Sequence, residues 1–320
     1  MLRKRPKLLL TTGDPNGIGP EIILKIFSRD SFVKHYDLNV AGSKKIFDKY
    51  SAILSLPEIS QERIIEIPLP RRMELFPGKL NKLSGKFSGD CITTAAELCI
   101  QKEFNGLITL PVSKEALNLG GYSFPGHTEM LTKLTSSDTT VMILYSEKFS
   151  VALVTGHLSL NEVSKEITSD LLFSKILTAN NSLVKDFKIK HPKIAVLSLN
   201  PHAGDGGLIG KEEINIINPL IEKMNSAGFN IRGPFSPDAY FAGKTYKKYD
   251  ITIAMYHDQG LIPFKMISFE KGVNFTAGLK IIRTSPDHGT AFDIAGLGKA
   301  NPASTIAAIK LASGLAKKNN

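Results

Sequence analysis

Short apolar runs alternate with longer amphipathic stretches along most of the 320-residue chain. This alternation is typical of βα units, in which helices cover both faces of a mainly parallel sheet. It therefore predicts a doubly wound α/β protein. The runs and the stretches that follow them are 7–12 with 21–27, 106–110 with 114–119, 151–155 with 159–177, and 194–199 with 212–224, before a last run at 251–255.

The net charge of +10, from 40 Lys and Arg against 30 Asp and Glu, points to an anionic partner. The basic residues are dispersed, because no run of five or six like charges occurs and aromatic residues do not interleave with the basic clusters. This distribution favours a small anionic substrate over nucleic acid.

No window of 18 apolar residues occurs, so we expect no membrane partner, and the apolar run at 8–10 is too short for a secretory signal. The two cysteines, Cys91 and Cys99, lie in a predicted helix over 90–104. At 1.5 Å per residue their Cα atoms would be about 12 Å apart, which is too far for a disulfide. We therefore expect a cytoplasmic protein with two unpaired thiols.

Three histidines lie in polar loops that directly follow predicted strands: His157, His202 and His257. In open parallel sheets, ligands bind beyond the carboxyl ends of the strands, where such loops converge. Three imidazoles with an open fourth position form a catalytic site for a divalent metal ion. We predict a shared metal site; the alternative is that each imidazole makes only a local hydrogen bond.

The Gly- and Pro-rich loop 121–129 leads into a predicted helix. A helix N-terminus presents free N–H groups to anions, and His127 and Thr128 would add donors for a carboxylate or a phosphate. The alternative is a simple N-cap by Thr128 without a ligand.

A second polar set interrupts apolar sequence further along the chain. Its members are Lys265, Asn274 and Arg283. Two cations and an amide suit an anionic ligand. The alternative is that these side chains are solvated or paired with structural partners.

Two glycine-rich loops match nucleotide-binding motifs only in part. The loop 13–21 follows a predicted strand and opens a helix, but it lacks the Lys-Ser/Thr of a P-loop and the G-x-G-x-x-G spacing of a dinucleotide fingerprint. The loop 204–210 misses that spacing by one position. Neither loop by itself predicts nucleotide binding.

Seven motifs, in order along the chain, resemble known dehydrogenases. GDPNGIGPE at 13–21 resembles the opening loop of the isocitrate/isopropylmalate dehydrogenase superfamily with a short insertion, and HGTAFDIAG at 288–296 resembles that superfamily's adenine-side cofactor loop. Five stretches resemble the 4-hydroxythreonine-4-phosphate dehydrogenase family of pyridoxal phosphate synthesis. These are GHTE at 126–129, GHL at 156–158, NPHAG at 200–204, YHDQG at 256–260 and RTSPDHGT at 283–290.

The resemblance implies a two-domain α/β/α architecture with the active site in the interdomain cleft. Residues 1–135 with 285–320 would form the cofactor-side domain, and residues 136–284 the metal-binding and dimerisation domain. The protein would be a cytoplasmic homodimer, with its active site near the subunit interface.

The resemblance also implies a role for each candidate residue. The three histidines would bind one divalent metal ion across the dimer; histidines in place of the superfamily's aspartates favour Zn²⁺, with Mg²⁺ or Co²⁺ as alternatives. The substrate would be held by His127, Thr128, Lys265, Asn274 and Arg283. The nicotinamide cofactor would be held by His288, Gly289, Asp293 and Asn301. The proton acceptor stays open between Lys265 and Asp258.

The choice between NAD and NADP depends on Asp293. An acidic side chain facing the adenosine ribose accepts a hydrogen bond from the 2′-hydroxyl and repels a 2′-phosphate. We therefore expect NAD to be preferred, with NADP as the alternative.

The resemblance implies metal-dependent oxidation of 4-phosphohydroxy-L-threonine to a β-keto acid, which then loses CO₂. Within the same scaffold, the alternatives are dehydrogenases of threonate or erythronate 4-phosphate, or of an aromatic cis-dihydrodiol. A three-histidine metal hydrolase and a non-catalytic metal- or phosphate-binding protein are alternatives from other classes. The cofactor-loop resemblance over 288–302 argues against both of these.

Overall fold

The computed structural model describes residues 5–268 and 271–319. These residues form two compact units. The terminal unit contains the described residues up to Ser137 and from Leu279 onward, and the middle unit is Asp138–Gly278. The sequence analysis places these changes after residues 135 and 284. Both units combine a sheet with helices, so the α/β fold class is confirmed.

The sheet of the terminal unit is parallel in the order β3-β2-β1-β4-β11. Strand β1 lies at its centre, and all four of its residues are buried because both faces of a parallel sheet are covered. The strands are β1 (Leu8–Thr11), β2 (Leu38–Gly42), β3 (Ile64–Glu66), β4 (Gly106–Ile108) and β11 (Arg283–Pro286).

Seven helices belong to the terminal unit among the residues described. They are α1 (Gly19–Phe27), α2 (Asp30–His35), α3 (Lys44–Leu54), α4 (Lys82–Ile100), α5 (Lys114–Leu119), α6 (His127–Leu134) and α12 (Ala303–Asn319). Single 3₁₀ turns lie at Gln61–Arg63 and Phe292–Ile294.

Helix α4 begins earlier and ends earlier than the helix predicted over 90–104. It starts after Asn81, whose side chain accepts a 2.7 Å hydrogen bond from the Leu83 N–H and so caps the helix. Both cysteines are buried in it and unpaired, as expected. The glycines in its first half conceal the helical pattern in the sequence.

Those glycines let other segments lie directly on α4. A Cβ at Gly85 would lie 1.8 Å from the carbonyl oxygen of Ala116 in α5, and one at Gly89 would lie 2.1 Å from the ring of Tyr122. The backbone of α5 and the turn that follows it therefore contact the bare face of α4. This close approach places the loop that leads to α6.

The sheet of the middle unit has the order β10-β5-β6-β9-β7-β8. The four strands from β6 to β8 are parallel, whereas β5 is antiparallel to β6 and to β10. A short turn joins β5 to β6, and such a connection permits only antiparallel neighbours. The strands are β5 (Val141–Tyr145), β6 (Ser150–Leu153), β7 (Lys193–Leu197), β8 (Asn230–Phe235), β9 (Ile251–Ala254) and β10 (Val273–Ala277).

The helices of the middle unit are α7 (Leu160–Glu166), α8 (Ser169–Lys185), α9 (Asn218–Ser226), α10 (Pro237–Ala242) and α11 (His257–Ser268). The amphipathic stretch predicted over 159–177 divides into two helices, because the Thr168 side chain accepts the Leu171 N–H and starts α8. A π-helix at Glu213–Ile217 precedes α9, and 3₁₀ segments lie at Pro201–Gly207 and Thr245–Lys248. None of the described helices is long and apolar enough to cross a membrane.

Helix α11 is fixed against the sheet of its own unit. Phe264 is fully buried, and its ring lies 6.2 Å from that of Phe149. A Cβ at Gly260 would lie 2.8 Å from the Leu153 side chain, so the first turn of α11 lies directly on β6. The helix therefore presents His257 from a rigid position.

Candidate active site

The three predicted metal-binding histidines all follow strands of the middle unit. His157 follows β6, His202 follows β7 and His257 opens α11 directly after β9. Strands β6, β9 and β7 are parallel neighbours, so their carboxyl ends lie at one edge of the sheet. Ligand sites of α/β proteins form at this edge.

Hydrogen bonds hold the ends of these strands together. The Thr155 hydroxyl donates to the Met255 carbonyl at 2.7 Å, which links the end of β6 to the end of β9. The Gln259 side chain accepts the Met255 N–H and donates to the Ser198 carbonyl, both at 2.7 Å. Gln259 is buried, and it therefore sets the position of the loop after β7 relative to the start of α11.

The structure brings two of the histidines together. The rings of His157 and His257 lie 5.4 Å apart between centroids. Nδ1 of His257 lies 2.6 Å from a carboxylate oxygen of Asp258. Because an ionised carboxylate only accepts hydrogen bonds, Nδ1 carries the proton, and the Nε2 lone pair is available to a metal ion.

His202 lies on a strained and exposed loop. Residues 202–206 all have φ between +44° and +81°, which is a turn of left-handed backbone. Each non-glycine residue in this conformation costs about 1 kcal/mol. The side chain of Glu213 stabilises the start of this loop. Its carboxylate oxygens accept hydrogen bonds from the backbone N–H groups of Leu199 and Asn200 at 2.8 Å and from the side-chain NH₂ of Asn200 at 2.9 Å.

These residues fit a metal ion only in part within one chain. A pair of adjacent imidazoles, one of them oriented by a carboxylate, is suitable chemistry for a divalent cation. In the part of the chain that the structure describes, however, no group of three His, Cys, Asp or Glu side chains is placed to hold a metal ion. A single chain therefore supplies the pair but not the predicted set of three.

Large apolar side chains are exposed on the segments that carry His157 and His202. Leu160 is 74% exposed and Leu208 is 86% exposed. Leu158, Ile209 and Ile214 are also exposed. We call these five residues the apolar rim. Large exposed apolar patches on a protein surface mark sites of protein association.

A second group of predicted residues comes together in the terminal unit. Arg283, the first residue of β11, is 2% exposed, and its Nε and Nη2 lie 3.0 and 2.7 Å from the hydroxyl of Thr109. Burial lowers the pKa of the guanidinium to about 10, so it remains a cation at neutral pH. Sequence analysis identified Arg283 but missed Thr109, which reads as an ordinary strand residue.

The imidazole of His127 lies in the field of this cation. Burial, with the charges of Arg283 and Lys114, lowers the pKa of His127 to about 3, so the ring is neutral. Its Nε2 is buried and makes no hydrogen bond within the described part of the chain. A buried nitrogen of this kind is satisfied when a ligand binds.

Helix α6 begins at His127, with Gly126 as its N-cap and no side-chain cap. The alternative in which Thr128 caps the helix is therefore wrong, since Thr128 already lies in the first turn. The N–H groups of this turn are free of a capping side chain. Free N–H groups at a helix N-terminus can donate hydrogen bonds to an anion.

Lys114 is a further cation of this group that the sequence analysis did not single out. Its Cε lies 3.5 Å from the position that a Cβ at Gly126 would occupy. Among the residues described, no carboxylate forms an ion pair with its ammonium group. The only sequence signal was its place in a polar loop directly after β4. We call His127, Arg283, Thr109 and Lys114 the anion cluster.

The other two predicted substrate residues belong to the middle unit. Lys265 lies in α11 and is half-buried. Asn274 lies in β10, and its Oδ1 is buried without a hydrogen bond among the described residues. That oxygen is a second polar atom placed to meet a ligand.

The predicted cofactor residues form an irregular segment before α12. Nε2 of His288 is buried and unpartnered among the described residues, while Gly289 is exposed with open space around it. Asp293 lies exposed in the 3₁₀ turn. The Asn301 side chain accepts the N–H of Ala303, the first residue of α12, at 3.0 Å. An orphaned imidazole beside an open glycine fits a polar ligand such as a dinucleotide.

The fold and these side chains define an α/β protein with a polar site at its strand ends and an anion cluster around the buried Arg283. The model of the family described as pyridoxal phosphate biosynthetic protein PdxA matches residues 34–312. The chain belongs to this family.

Relatives match nearly the whole chain. It is 40% identical over 316 residues to a 4-hydroxythreonine-4-phosphate dehydrogenase of Sulfurihydrogenibium sp., covering 96% of this chain and 97% of that one. It is also 40% identical over 325 residues to a D-threonate 4-phosphate dehydrogenase of Pectobacterium atrosepticum, covering 97% and 99%. The crystal structure of 4-hydroxythreonine-4-phosphate dehydrogenase from Klebsiella pneumoniae superposes with a TM-score of 0.89, at 37% identity and 99% coverage of both chains.

Proposed function

We propose that this chain oxidises 4-phosphohydroxy-L-threonine with NAD in the synthesis of pyridoxal phosphate. The observation that carries the proposal is the anion cluster. A buried guanidinium, a neutral imidazole whose Nε2 has no partner among the described residues, and an exposed lysine lie beside a helix N-terminus. This chemistry recognises a phosphate. Two relatives of similar identity act on 4-phosphorylated four-carbon acids, as their names state.

The chain's own residues bind and orient this substrate. Arg283 and Lys114 offset the charge of the phosphate, and His127 Nε2, in its protonated neutral tautomer, donates to a phosphate oxygen. Thr128 adds a hydroxyl and an N–H at the start of α6. Lys265 and Asn274 of the middle unit would hold the amino-acid portion.

The reaction is a two-electron oxidation at C3 of the substrate. The C3–H bond breaks, and its hydrogen leaves with both electrons as hydride to NAD⁺, while the hydroxyl proton goes to a base. The products are NADH, a proton and a β-keto acid, 2-amino-3-oxo-4-(phosphooxy)butanoate. This acid loses its carboxylate as CO₂ and takes up a proton at C2 to give 3-amino-2-oxopropyl phosphate.

Two residues were candidates for the base, and their surroundings differ. Asp258 lies against His257 Nδ1, where it orients the imidazole. Lys265 lies about two turns further along α11 than His257 and is half-buried. We therefore propose Lys265 as the proton acceptor and Asp258 as a positioning residue.

A divalent metal ion would be held by His157 and His257 of one chain and His202 of a second copy. When bound, it supplies a positive charge that makes the substrate hydroxyl more acidic. The support is the paired imidazoles, the separate exposed loop of His202 and the apolar rim that flanks both. An all-histidine set favours Zn²⁺ over harder ions, with Mg²⁺ and Co²⁺ as alternatives. The active form is then a homodimer.

His288, Gly289, Asp293 and Asn301 are proposed to hold the cofactor. The exposed carboxylate of Asp293 favours NAD, since it would repel the 2′-phosphate of NADP. The two unpaired buried thiols fit a reducing compartment, and we place the enzyme in the cytoplasm.

D-threonate 4-phosphate is the second candidate substrate, because a relative with that name is equally similar. The two substrates share the phosphate and the C3 hydroxyl, and they differ at C2. The anion cluster therefore suits both. Erythronate 4-phosphate fits by the same argument, whereas a cis-dihydrodiol carries no phosphate for this cluster.

The test is NADH formation at 340 nm with 4-phosphohydroxy-L-threonine or D-threonate 4-phosphate, a divalent metal and NAD, beside a chelator control. We expect chelator-sensitive NADH from the first substrate and a lower kcat/KM with NADP. NADH from the second substrate alone would keep the mechanism but replace the substrate. Product release without NADH would contradict the proposal and indicate a hydrolase.

A further inference from the structure

The opening loop 13–18 contacts the segment 288–301 through its backbone. The Ile18 N–H donates to the Thr290 carbonyl at 3.0 Å. A Cβ at Gly17 would lie 2.9 Å from the same oxygen. Gly17 therefore allows the backbones of the loop and the segment to touch.

Beyond the loop, two side chains of α1 bind the other end of the segment. Glu21 is fully buried; one of its oxygens accepts the Ala300 N–H at 2.7 Å and the other accepts the Gly298 N–H at 3.2 Å. Lys25 donates to Glu21 at 2.8 Å and to the carbonyls of Gly298 and Ala300, each at 2.8 Å. All three ammonium hydrogens are thus engaged, and one ion pair binds four backbone atoms.

The segment 288–301 has little regular structure of its own. It contains a single 3₁₀ turn, and one of that turn's hydrogen bonds is long, at 3.4 Å from Ala295 N to Phe292 O. Ala291, Gly296 and Gly298 have φ of +42°, +75° and +73°. A segment without a hydrogen-bond ladder takes its shape from the contacts imposed on it.

We propose that Glu21 and Lys25 are positioning residues for the cofactor: they hold the segment 288–301 in the conformation that binds the dinucleotide. This inference rests on the proposed function, which assigns the cofactor to that segment. Neither residue touches the cofactor in this scheme. Their removal acts on cofactor affinity through the backbone of Gly298 and Ala300, and it leaves the anion cluster unaltered.

The variants separate the ion pair from the hydrogen bonds. Lys25→Met removes three donors and leaves a buried carboxylate without its cation. Glu21→Gln replaces one acceptor with an NH₂ group, which opposes either the Gly298 N–H or both the Ala300 N–H and Lys25. Lys25→Arg keeps the charge and the donors. Lys86→Met is the matched control, because Lys86 forms an i, i+4 pair with Asp90 on the exposed face of α4 in the same unit.

Each variant is titrated with NADH by fluorescence, without substrate, and hydrogen exchange is followed in peptides covering 288–301. We expect the NADH Kd to rise about tenfold for Lys25→Met and Glu21→Gln, less for Lys25→Arg, and not at all for Lys86→Met. Amides of the segment exchange faster in the same order. At saturating NAD, kcat and the KM of the phosphorylated substrate stay within about twofold of wild type.

Two outcomes overturn the positioning role: unchanged exchange in the segment, or faster exchange with an NADH Kd within about twofold of wild type. If Lys25→Met does not fold, Glu21→Gln and Lys25→Arg are judged by the same measurements. Wild-type protein that binds neither NADH nor NADPH would instead refute the proposed function, and the positioning role with it.

Discussion

At the scale of single residues, the anion cluster combines two cations with an imidazole that burial keeps neutral. A neutral ring beside Arg283 and Lys114 adds no third positive charge, so its unpaired nitrogen can donate without increasing the repulsion between cations. In the proposed function, the two cations therefore supply the charge for phosphate binding, and the His127 imidazole supplies a directed hydrogen bond.

Lys114 gives this arrangement a direct test. Lys114→Met removes the exposed cation of the cluster but none of its buried side chains, so we expect the KM of the phosphorylated substrate to rise about tenfold, with kcat within about twofold of wild type. Steady-state kinetics measures both values. Lys133→Met is the control, because it removes a charge from the last turn of α6, the helix whose first residue is His127. A KM unchanged in Lys114→Met would exclude Lys114 from the site.

Asp14 is a buried carboxyl whose protonation affects stability. Burial raises its pKa from 3.8 to about 6, against a hydrogen bond from the Asn16 N–H that lowers it. The folded state thus binds the proton more tightly than the unfolded state. The stabilisation is complete below about pH 4 and is lost as the pH rises through 6, a change of about 3 kcal/mol.

Asp14→Asn removes this titration. We expect the free energy of unfolding of wild type to fall relative to that of Asp14→Asn as the pH rises from 4.5 to 7.5, because the amide stays neutral throughout. Urea unfolding of both proteins at several pH values measures the difference. A difference that does not vary with pH would show that Asp14 has the same pKa in the folded and unfolded states.

Residue types alone identified most residues of the candidate site, but they did not show which of these residues lie close together. The histidines after strands were found because imidazoles in such loops are conspicuous. The sequence cannot show that His157 and His257 meet while His202 lies on a separate left-handed loop, since backbone conformation decides this. Thr109 and Lys114 were missed because neither residue type is unusual where it occurs.

At the scale of elements, buried apolar strands were predictable and polar ones were not. The runs that became β1, β4, β6, β7 and β9 are hydrophobic because both of their faces are covered. Strand β11 reads Arg-Thr-Ser-Pro and is nevertheless fully buried. Its polar groups are satisfied individually: Arg283 binds Thr109, and the Thr284 hydroxyl donates to the Ala308 carbonyl. Hydropathy cannot detect a strand whose burial depends on specific partners.

The first residues of two helices were mispredicted because they are set by capping side chains, which the hydrophobic pattern of the sequence does not show. Asn81 starts α4 and Thr168 starts α8, and each does so through one side-chain hydrogen bond. The π-helix at Glu213–Ile217 turns Glu213 under the His202 loop, where its carboxylate binds the backbone. Such a turn is rare, is typical of functional sites, and leaves no period in the sequence.

At the scale of the whole molecule, the separated histidines predict that two copies share each site. In a mixed dimer of His202→Ala and His257→Ala chains, the His202→Ala chain supplies intact His157 and His257 to one site. The His257→Ala chain supplies the intact His202 to that same site, and the other site lacks two ligands. Random pairing of equal amounts then restores about a quarter of wild-type activity, although each variant alone is inactive.

The control mixes His157→Ala with His257→Ala. Both residues belong to the same pair, so every site of that mixed dimer lacks one ligand and activity stays absent. Activity after mixing is measured as NADH formation, with metal content determined in parallel. No recovery in the first mixture would show that all three ligands come from one chain.

The bare face of α4 bears on how this protein can be engineered. Standard helix stabilisation replaces glycine with alanine for a gain of about 1 kcal/mol per site. At Gly85 and Gly89 the added methyl groups would overlap Ala116 and Tyr122 and force α5 away from α4. A redesign that scores only helix propensity would thus give α4 a higher helix propensity but displace the loop that leads to α6. A thermostability screen alone would not detect that displacement.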